Sequence, residues 1–505
     1  MKKPSLRVRK MTGIQWLLAV FGFIFVIFSG IIALSDRANF NRQSVTLPSG
    51  SSISGVPVGG LTRPQAEERL SVAFRIPVEL RCAGVRMQLN PMDLGFSMDP
   101  TISLDALEAQ AKSSWWRHLW GKNQPSSAAK DYPLLTMLDE NILQTTLEKT
   151  TLPHCEIAPV PSVPVLYQTN FSLPQKGQGV DLIKATELVK EALLSPTDRV
   201  VNLPIEELVP PPPDLQNLEV MLKQQIMLEG FDGLVEVFLQ NPATGEILHF
   251  AERSYQSVPV DVAYTGASTV KIPIMVSVMR RVTEPTPKQA LEWMDSMISQ
   301  SLNPPADALM KSYLDRDRGP LLVTEDLHAL GYQNSFLGGF FEPGSPLLAR
   351  FTTPANSRTD VYLDPDFYNQ TVPSEIGDML TRIYRCAHTG SNVDLFPDEI
   401  SSQECKTMLE MLSHNKLGVL IEAGLGPDSS AAHKHGWVTD IDGLVHTISD
   451  AGIVNSPGGD YVLVIFIHSE RQLLFDVGNR LVARLSQCIY NFYNLDQQIA
   501  WPLTD

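Results

Sequence analysis

The sequence predicts an α/β (α+β) protein with three parts: one N-terminal transmembrane helix, a small α+β module, and a larger domain that combines helices with an antiparallel sheet. Three observations support this prediction. A long stretch without charge lies near the N-terminus, a run of four prolines divides the remainder, and strand-like and helix-like patterns occur on both sides of that run. A chain of 505 residues is also too long for one ordinary domain.

The uncharged stretch covers residues 14–34 and would span about 31 Å as a helix, roughly the thickness of one bilayer core. Lysines and arginines, without any acidic residue, are concentrated in the first ten positions. The positive-inside rule then predicts a cytoplasmic N-terminus and an outward-facing remainder. A cleaved signal peptide is the competing interpretation, but its apolar core would be shorter. We therefore expect a single-pass protein of the cell membrane whose later domains are extracytoplasmic.

The proline run at 210–213 is expected to be extended and fairly stiff, and it marks the main domain boundary. In the resulting organisation, the module lies between the membrane anchor and the larger domain. The predicted parts are a cytoplasmic tail (1–13), a transmembrane helix (14–35), an α+β module (36–209), a proline linker (210–214) and the larger domain (215–498).

The module opens with the sequence ISGVPVGGLT at 53–62, followed by a helix-like pattern at 63–74 for which Thr62 is a suitable N-cap. A second helix-like pattern at 184–193 follows the sequence GQGVDL, and a strand-like pattern comes after it. Both segments resemble the peptidoglycan-binding repeat found with VanW-type and L,D-transpeptidase proteins of bacterial envelopes. The resemblance implies binding to cell-wall glycan or peptide, and a role as a spacer is the alternative.

The larger domain contains the motif Ser268-Thr269-Val270-Lys271, directly followed by an apolar, helix-like run at 272–278. Residues three positions apart share one face of a helix, so the Lys271 amine would lie beside the Ser268 hydroxyl and take its proton. Pro273 agrees with a helix start here, because proline is tolerated in the first turn. An isolated Ser-x-x-Lys is weak evidence, since an N-capping serine and a solvated lysine give the same pattern.

Two further motifs strengthen this interpretation. Ser301-Leu302-Asn303 lies inside a helix-like run at 291–314, and Lys434-His435-Gly436 comes just ahead of a strand-like stretch. Their order resembles that of serine β-lactamases and penicillin-binding proteins, and the region 215–495 resembles the class A β-lactamase catalytic domain. The resemblance extends to an opening hairpin, a core strand and a closing helix, expected at 234–239 with 247–250, at 461–468 and at 481–495.

The resemblance implies a catalytic role for five residues. Ser268 would attack a carbonyl and become acylated, and Lys271 would activate it directly or through a water. Ser301 would pass a proton to the departing nitrogen, while Asn303 would hold the substrate amide and the lysine. Lys434 would attract the substrate carboxylate. No metal or organic cofactor is required by this chemistry.

The predicted substrate-binding residues follow in the third motif. The backbone N–H groups of Ser268 and Trp437 would form an oxyanion hole next to Gly436. His435 stands where the family has threonine or serine, and it either binds the substrate carboxylate or has no role in binding. Leu302 replaces the usual aspartate, and the interval between the first two motifs is shorter than usual. We therefore expect one wall of the cleft to be more open.

Deacylation is the step in which the sequence departs furthest from the family. Class A enzymes use a glutamate on an omega loop to activate the hydrolytic water, and the corresponding region 353–371 contains none. Its nearest analogue is Asp360, in the sequence Arg358-Thr359-Asp360, which makes Asp360 the candidate deacylation acid. Asp364 and Asp366 lie close by. The alternative is that these acids are solvated loop residues.

Composition excludes several classes of function. The net charge of −16 makes the chain a poor binder of nucleic acid, and none is expected as a partner. The sequence has no Cys-x-x-Cys and no His-Glu-x-x-His, so no metal site is expected. Cys386 and Cys405 are candidates for a disulfide, which the sequence alone does not decide.

The leading prediction is therefore a membrane-anchored serine hydrolase of the class A β-lactamase type, which opens a β-lactam or a related amide through an acyl-serine intermediate. The first alternative is a penicillin-binding D,D-carboxypeptidase or transpeptidase that acts on peptidoglycan stem peptides. The second is a sensor or scaffold that is acylated without turnover or is inert. The missing omega-loop glutamate and the wall-binding resemblance favour the first alternative, whereas the intact motifs argue against an inert scaffold.

Overall fold

The computed structural model describes residues 13–43, 46–111, 130–389, 395–396, 399–415 and 417–500. They form two compact units. The first contains the described parts of 1–159 and 176–209, and the second those of 160–175 and 210–505. Residues 160–175 thus pack with the second unit, although they precede the proline run in the sequence.

The N-terminal helix α1 spans Gly13–Gln43. Its segment Trp16–Phe40, 25 residues in length, is long and apolar enough to cross a membrane. A signal sequence near the N-terminus passes the same test of length and composition. The basic residues from which we predict the membrane orientation lie outside the described residues.

The remainder of the first unit combines short strands with helices. Its strands are β1 (Ser52–Ile53), β2 (Val56–Pro57), β3 (Val78–Cys82), β4 (Val85–Leu89), β5 (Phe96–Asp99), β6 (Asp131–Tyr132), β7 (Leu135–Leu138), β8 (Gly177–Val180), β9 (Val200–Asn202) and β10 (Ile205–Leu208). Its helices are α2 (Arg63–Arg75), α3 (Thr101–Ala111), α4 (Glu140–Cys155) and α5 (Leu182–Leu194).

Local sequence explains how this unit is held together. At the start of α2, the Gln65 side chain accepts a hydrogen bond from the Thr62 backbone N–H at 3.0 Å, which satisfies one unpaired donor of the helix end. Apolar side chains of the helices and strands pack into one core. A disulfide joins Cys82, at the end of β3, to Cys155, at the end of α4.

The second unit is built on one six-stranded antiparallel sheet in the order β13-β12-β11-β19-β18-β17, with β14, β16 and β15 forming a smaller sheet. Its strands are β11 (Leu234–Gln240), β12 (Ile247–Arg253), β13 (Gln256–Val258), β14 (Tyr264–Thr265), β15 (Phe336–Leu337), β16 (Asn369–Thr371), β17 (Ser430–Thr439), β18 (Val445–Asn455) and β19 (Tyr461–His468). Its α-helices are α6 (Leu215–Leu228), α7 (Lys271–Met279), α8 (Lys288–Ser299), α9 (Asn303–Leu309), α10 (Gly319–Ala329), α11 (Pro373–Thr389), α12 (Ser402–Ser413) and α13 (Phe475–Tyr493).

Alternating side chains of the large sheet pack into two cores. Along β11, Val235 and Val237 pack with α6 and α13 on one face, whereas Phe238 packs with side chains of α7, α8, α11 and α12 on the other. Because both faces are covered, the central strand β19 is apolar from Tyr461 to Ile467. The structure confirms the predicted hairpin, now β11 and β12, and the predicted core strand β19.

A second disulfide lies in this unit. Cys386 of α11 is bonded to Cys405 of α12, which resolves the pairing that the sequence left open. Cys488 of α13 is buried and unpaired. The disulfide fixes two of the helices that cover the sheet on the side of β17 and α7, where the three sequence motifs meet.

Candidate active site

Ser268 lies in a tight turn between β14 and α7. Ala267, just before it, has a positive φ of 46°, and α7 itself begins at Lys271. The Lys271 backbone N–H donates to the Ser268 carbonyl oxygen at 3.3 Å, so the turn runs directly into the helix. Pro273 falls in the first turn of α7, where its missing N–H costs no helical hydrogen bond. The three-residue spacing therefore places the hydroxyl and the amine together.

The Lys271 amine is buried among oxygen acceptors. Its Nζ donates to Ser268 Oγ at 2.9 Å, to the Ser301 carbonyl oxygen at 2.6 Å and to Asn303 Oδ1 at 2.9 Å. Burial lowers the pKa of Lys271 to about 8, against an opposing effect of the Asp307 carboxylate. The neutral amine is therefore populated near physiological pH and is placed to accept a proton from the Ser268 hydroxyl.

Ser301 connects Ser268 to the second amine of the site. Its Oγ donates to Ser268 Oγ at 2.9 Å and accepts a hydrogen bond from Lys434 Nζ at 2.9 Å. Lys271 Nζ lies 3.5 Å from the same Ser301 oxygen. One hydroxyl thus contacts both amines and the nucleophile, which is the position required of a group that relays a proton.

The structure corrects the prediction of a continuous helix over 291–314. α8 ends at Ser299 and α9 begins at Asn303, with Ser301 in the interruption at a positive φ of 59°. A left-handed backbone cannot continue an α-helix, and Pro304 and Pro305 are tolerated only in the first turn of the new one. The interruption lets Ser301 and Asn303 both reach the Lys271 amine.

Lys434 approaches the same cluster from the sheet. It lies inside β17, rather than ahead of a strand as the sequence pattern suggested. Its Nζ donates to Ser301 Oγ at 2.9 Å and to the His435 carbonyl oxygen at 3.0 Å. Burial lowers the pKa of Lys434 to about 7, and the positive charge of Lys271 adds to this effect. Two mutually repelling amines therefore share one buried site.

A cavity of about 400 Å³ lies against Ser268. Its lining includes Asn303, Trp437 and the loop residues Phe341 and Glu342. The two amines and Ser301 do not line it. Lys271 and Ser301 are connected to it through their hydrogen bonds to Ser268 and Asn303, and Lys434 is connected through its hydrogen bond to Ser301. The nucleophile is thus accessible to a ligand, while the groups that would activate it are shielded from water.

Gly436 allows β17 to pass close to the nucleophile. A Cβ added at Gly436 would lie 2.9 Å from Ser449 Oγ and 3.2 Å from the Ser268 backbone nitrogen. Trp437, the next residue, lines the cavity. The predicted oxyanion hole needs the N–H groups of Ser268 and Trp437 near one point, and this close approach supplies the necessary proximity.

His435 does not line the cavity with Ser268. Its buried ring stacks on Trp437 at 4.5 Å between ring centroids, and its Nδ1 accepts from Asn415 Nδ2 at 2.9 Å. Burial lowers the pKa of His435 to about 3, with a further contribution from Lys434, so the ring is neutral. Of the two roles considered for His435, this position favours packing over carboxylate binding.

Asp360 lies outside the residues that line the cavity. Its carboxylate is exposed and accepts two hydrogen bonds from Arg358, at 2.9 Å from Nε and 2.8 Å from Nη2. These bonds hold the pKa of Asp360 well below its usual range. Arg358 in turn donates to the carbonyl oxygens of Pro259 and Val260, so this pair fastens the loop to the chain before β14.

Asp366, which the sequence analysis names only as a neighbour of the candidate Asp360, lines the cavity with Ser268. Its Oδ1 accepts the Tyr368 backbone N–H at 2.9 Å, and its Oδ2 accepts Asn369 Nδ2 at 3.2 Å. Burial raises the pKa of Asp366, and the charge of Asp440 adds to the increase. Asn369 is buried, and in the described part of the chain its Oδ1 has no hydrogen-bond partner. The Asp-x-x-Asn spacing in the loop is the sequence signal that identifies this pair.

Glu236, His249 and Asp261 bring possible metal-ligand atoms within 4.8 Å of one another. Glu236 Oε1 lies 2.8 Å from His249 Nε2 and accepts the Asp261 backbone N–H at 2.6 Å. Its other oxygen accepts the Val262 backbone N–H at 3.2 Å. Protein donors therefore already satisfy this buried carboxylate, which favours a structural role for the group.

Comparison with known families supports a β-lactamase-like domain. The family described as "Beta-lactamase enzyme family" matches residues 286–493. The match includes Ser301, Asn303 and Lys434 but begins after Ser268 and Lys271. No curated protein matches the chain. The second unit is thus β-lactamase-like in its matched part, and its mixed arrangement of helices and antiparallel sheet agrees with this class.

Similar solved structures include PBP-A, with 19% sequence identity and a TM-score of 0.40 over 57% of this chain and 99% of that one. A β-lactamase from Chitinophaga pinensis DSM 2588 is 18% identical with a TM-score of 0.41, over 55% and 98%. A variant of the last common ancestor of Gram-negative bacteria class A β-lactamase is 19% identical with a TM-score of 0.39, over 55% and 99%. Likenesses at this level carry no argument about the site.

Proposed function

We propose that the chain is a membrane-anchored, extracytoplasmic serine hydrolase of the class A β-lactamase type, which opens a β-lactam or a related amide through an acyl-serine intermediate. The convergence of Lys271 Nζ and Ser301 Oγ on Ser268 Oγ, each at 2.9 Å, carries this proposal. Ser268 and Lys271 lie three residues apart, Ser301 comes from a distant part of the chain, and Ser268 lines a cavity. An N-capping serine beside a solvated lysine would not bury the amine.

Acylation would begin when neutral Lys271 accepts the hydroxyl proton as Ser268 Oγ bonds to the substrate carbonyl carbon. The negative charge that develops on the carbonyl oxygen would be met by the backbone N–H groups of Ser268 and Trp437. A donor of this kind is typically worth about 2.7–4 kcal/mol in the transition state. The amide bond then breaks, and the departing nitrogen would receive its proton through Ser301, which contacts both amines.

Two further residues would hold the substrate. Asn303 Oδ1 is occupied by Lys271, which leaves its Nδ2 free to donate to a substrate carbonyl in the cavity. Lys434 would attract a substrate carboxylate through its charge. Both residues lie within the family match over 286–493.

For deacylation we propose Asp366, paired with Asn369, as the group that activates water. Asp360 remains the prediction from sequence, but its position outside the cavity and its bonds to Arg358 favour Asp366. Asp366→Asn should prolong the life of the acyl-enzyme about 10²-fold, the typical size of a lost general base. Asp360→Asn is the matched control. Equal acyl-enzyme lifetimes in Asp366→Asn and wild type would remove Asp366 from the mechanism.

Membrane anchoring and an outward-facing site are supported by two features. α1 has the length and composition of a membrane-spanning helix. The bonds Cys82–Cys155 and Cys386–Cys405 form and persist in oxidising compartments. Release of the protein from membranes by carbonate extraction would favour a cleaved signal sequence over an anchor.

We also propose that the first unit binds cell-wall glycan or peptide, on the strength of the motif at 53–62. The alternative is a spacer that holds the catalytic unit away from the membrane. Co-sedimentation of the detergent-solubilised chain with purified peptidoglycan separates the two. Retention at physiological salt supports binding, whereas recovery in the supernatant supports the spacer.

The test of the main proposal is to mix the full chain with a chromogenic cephalosporin and to follow both colour and intact protein mass. Rapid turnover supports the β-lactamase. A stable adduct on Ser268 supports the penicillin-binding peptidase. The absence of the omega-loop glutamate from the sequence and the motif at 53–62 favour this alternative. Ser268→Ala should abolish the adduct, with the exposed-site variant Ser413→Ala as control. If neither an adduct nor turnover is observed, the hypothesis of an inert scaffold is favoured.

A further inference from the structure

A second cavity, of about 530 Å³, adjoins the one at Ser268. The two share Asn303 and the loop residues 341–343 as lining. Its volume lies within the range of about 300–1,000 Å³ that is usual for small-molecule sites. Because the predicted role of Asn303 is to hold the substrate amide, a chain attached to that amide on the acyl side would continue past Asn303 into this second cavity.

One wall of the second cavity is a single face of α9 and the turn that follows it. Pro304, Ala308 and Lys311 recur at helical spacing along this wall. Asp307, on the same face, accepts the backbone N–H groups of Phe341 at 2.9 Å and Glu342 at 2.8 Å. The helix therefore fixes the facing loop, and the cavity has a defined width.

Besides Asp307, the cavity is lined by one positive and one negative side chain, Lys311 and Glu342. Lys311 Nζ lies 2.9 Å from Glu342 Oε2 and 4.9 Å from the centre of the Phe340 ring. Both charges are partly exposed, so their mutual attraction is weak and is easily replaced by contacts with a ligand. A ligand group that carries both an ammonium and a carboxylate would pair with both side chains at once.

We propose that the second cavity recognises an acyl chain that ends in a zwitterionic α-amino acid. This proposal rests on the proposed acyl-serine function and names its substrate class. Glu342 would accept from the ammonium, and Lys311 would donate to the carboxylate. The same chemistry occurs in a peptide stem that bears a diamino dicarboxylic acid and in a β-lactam with an aminoadipyl side chain, so the test includes both.

The test compares acylation of Ser268 by penicillin N, whose α-aminoadipyl side chain is zwitterionic, and by its N-acetyl derivative, which has lost the positive charge. The second-order rate constants are measured by intact mass. We expect wild type to prefer penicillin N about tenfold. Glu342→Gln and Lys311→Met should each bring the ratio close to one. Glu325→Gln, which removes the exposed ion pair with Arg318 elsewhere on the unit, should keep the wild-type ratio.

The peptide arm uses two peptides that end in D-alanyl-D-alanine and contain a diamino dicarboxylic acid. Its side-chain amine is free in one peptide and acetylated in the other, and its side-chain carboxylate is free in both. Release of D-alanine with the same preference assigns the subsite to peptide stems, and a preference among the penicillins alone assigns it to β-lactams. A wild-type ratio within twofold of one for both pairs overturns the proposal and leaves the proposed function intact. If no compound acylates Ser268, both fail. The ratio of the two rate constants in the wild type tests the proposal even if a variant does not fold.

Discussion

The two faces of β17 carry two buried polar clusters of opposite character. On one face, Lys434 shares a site with Lys271, and among the described residues no carboxylate pairs with either amine. On the other face, His433 Nδ1 lies 2.9 Å from both oxygens of Asp450, which also accepts the Ile421 backbone N–H at 3.1 Å. Adjacent residues of one strand thus enter opposite environments.

The difference appears in the direction of the pKa shifts. Burial lowers the pKa of both lysines, and the opposing effects of the Asp307 carboxylate on Lys271 and of the Asp450 carboxylate on Lys434 do not offset the loss of water. Burial also opposes the charged form of His433, but the Asp450 carboxylate outweighs it and raises the pKa of the ring. A buried cation that is paired with a carboxylate, which we call compensated, stabilises the fold. A buried amine without such a pair has a lowered pKa and is neutral more often, which is what a general base requires.

The largest expected effect comes from Lys271→Met. Without the base, acylation of Ser268 by a chromogenic cephalosporin should slow by about 10³-fold or more. Because the charge is disfavoured in the fold, its removal should raise the free energy of unfolding at neutral pH. Lys288→Met, on a side chain that is 89% exposed, is the matched control and should change neither quantity. If Lys271→Met lowers both the acylation rate and the free energy of unfolding, the Lys271 charge stabilises the fold and is not disfavoured by burial.

The second prediction concerns the compensated face. Asp450→Ala leaves His433 buried without its partner and should lower the free energy of unfolding by about 3–5 kcal/mol, measured by urea titration. Asp442→Ala removes the partner of the partly exposed His446, at 2.9 Å, and should cost much less. Equal losses in the two variants would mean that burial does not distinguish these His–Asp pairs.

The third prediction is a moderate loss in Gly436→Ala. The added Cβ meets Ser449 Oγ at 2.9 Å and the Ser268 backbone nitrogen at 3.2 Å, so the strand must shift away from the nucleophile. We expect about 1–3 kcal/mol of lost stability from overpacking. Acylation should fall about tenfold because the oxyanion donors move apart. Gly443→Ala, in the exposed β17–β18 turn, tests stability alone, since its positive φ of 83° strains the fold without touching the site. An unchanged acylation rate in Gly436→Ala would separate β17 from the oxyanion hole.

Local rules predicted much of the second unit from sequence. Periodicity placed β11, β12 and β19, and motif spacing brought Ser268 and Lys271 together, since both depend on residues that are close in the sequence. The interruption between α8 and α9 depends on the left-handed backbone conformation of Ser301, and the pattern of apolar and polar residues does not reveal this conformation. Asp366 could not be chosen over Asp360 because the choice depends on which side of a loop faces the cavity, and that is fixed by tertiary contacts such as Arg358 to Val260.

A further prediction concerns the pH dependence of acylation. The base must be neutral, and the pKa values of Lys271 and Lys434 are lowered to about 8 and about 7, so the pair loses its first proton within this interval. The rate constant for acylation should rise about tenfold per pH unit below about 7 and level off above about 8. His435, with a pKa of about 3, stays neutral throughout and does not contribute.

Lys434→Met makes this prediction specific to the pair of amines. Removing one positive charge relieves the repulsion, so the remaining Lys271 should hold its proton to higher pH. The midpoint of the pH–rate profile should therefore move upward. A midpoint that stays in place would show that burial alone tunes Lys271. A midpoint that moves downward would contradict a repulsive pair and would require a negative charge near Lys271 that Lys434 had neutralised.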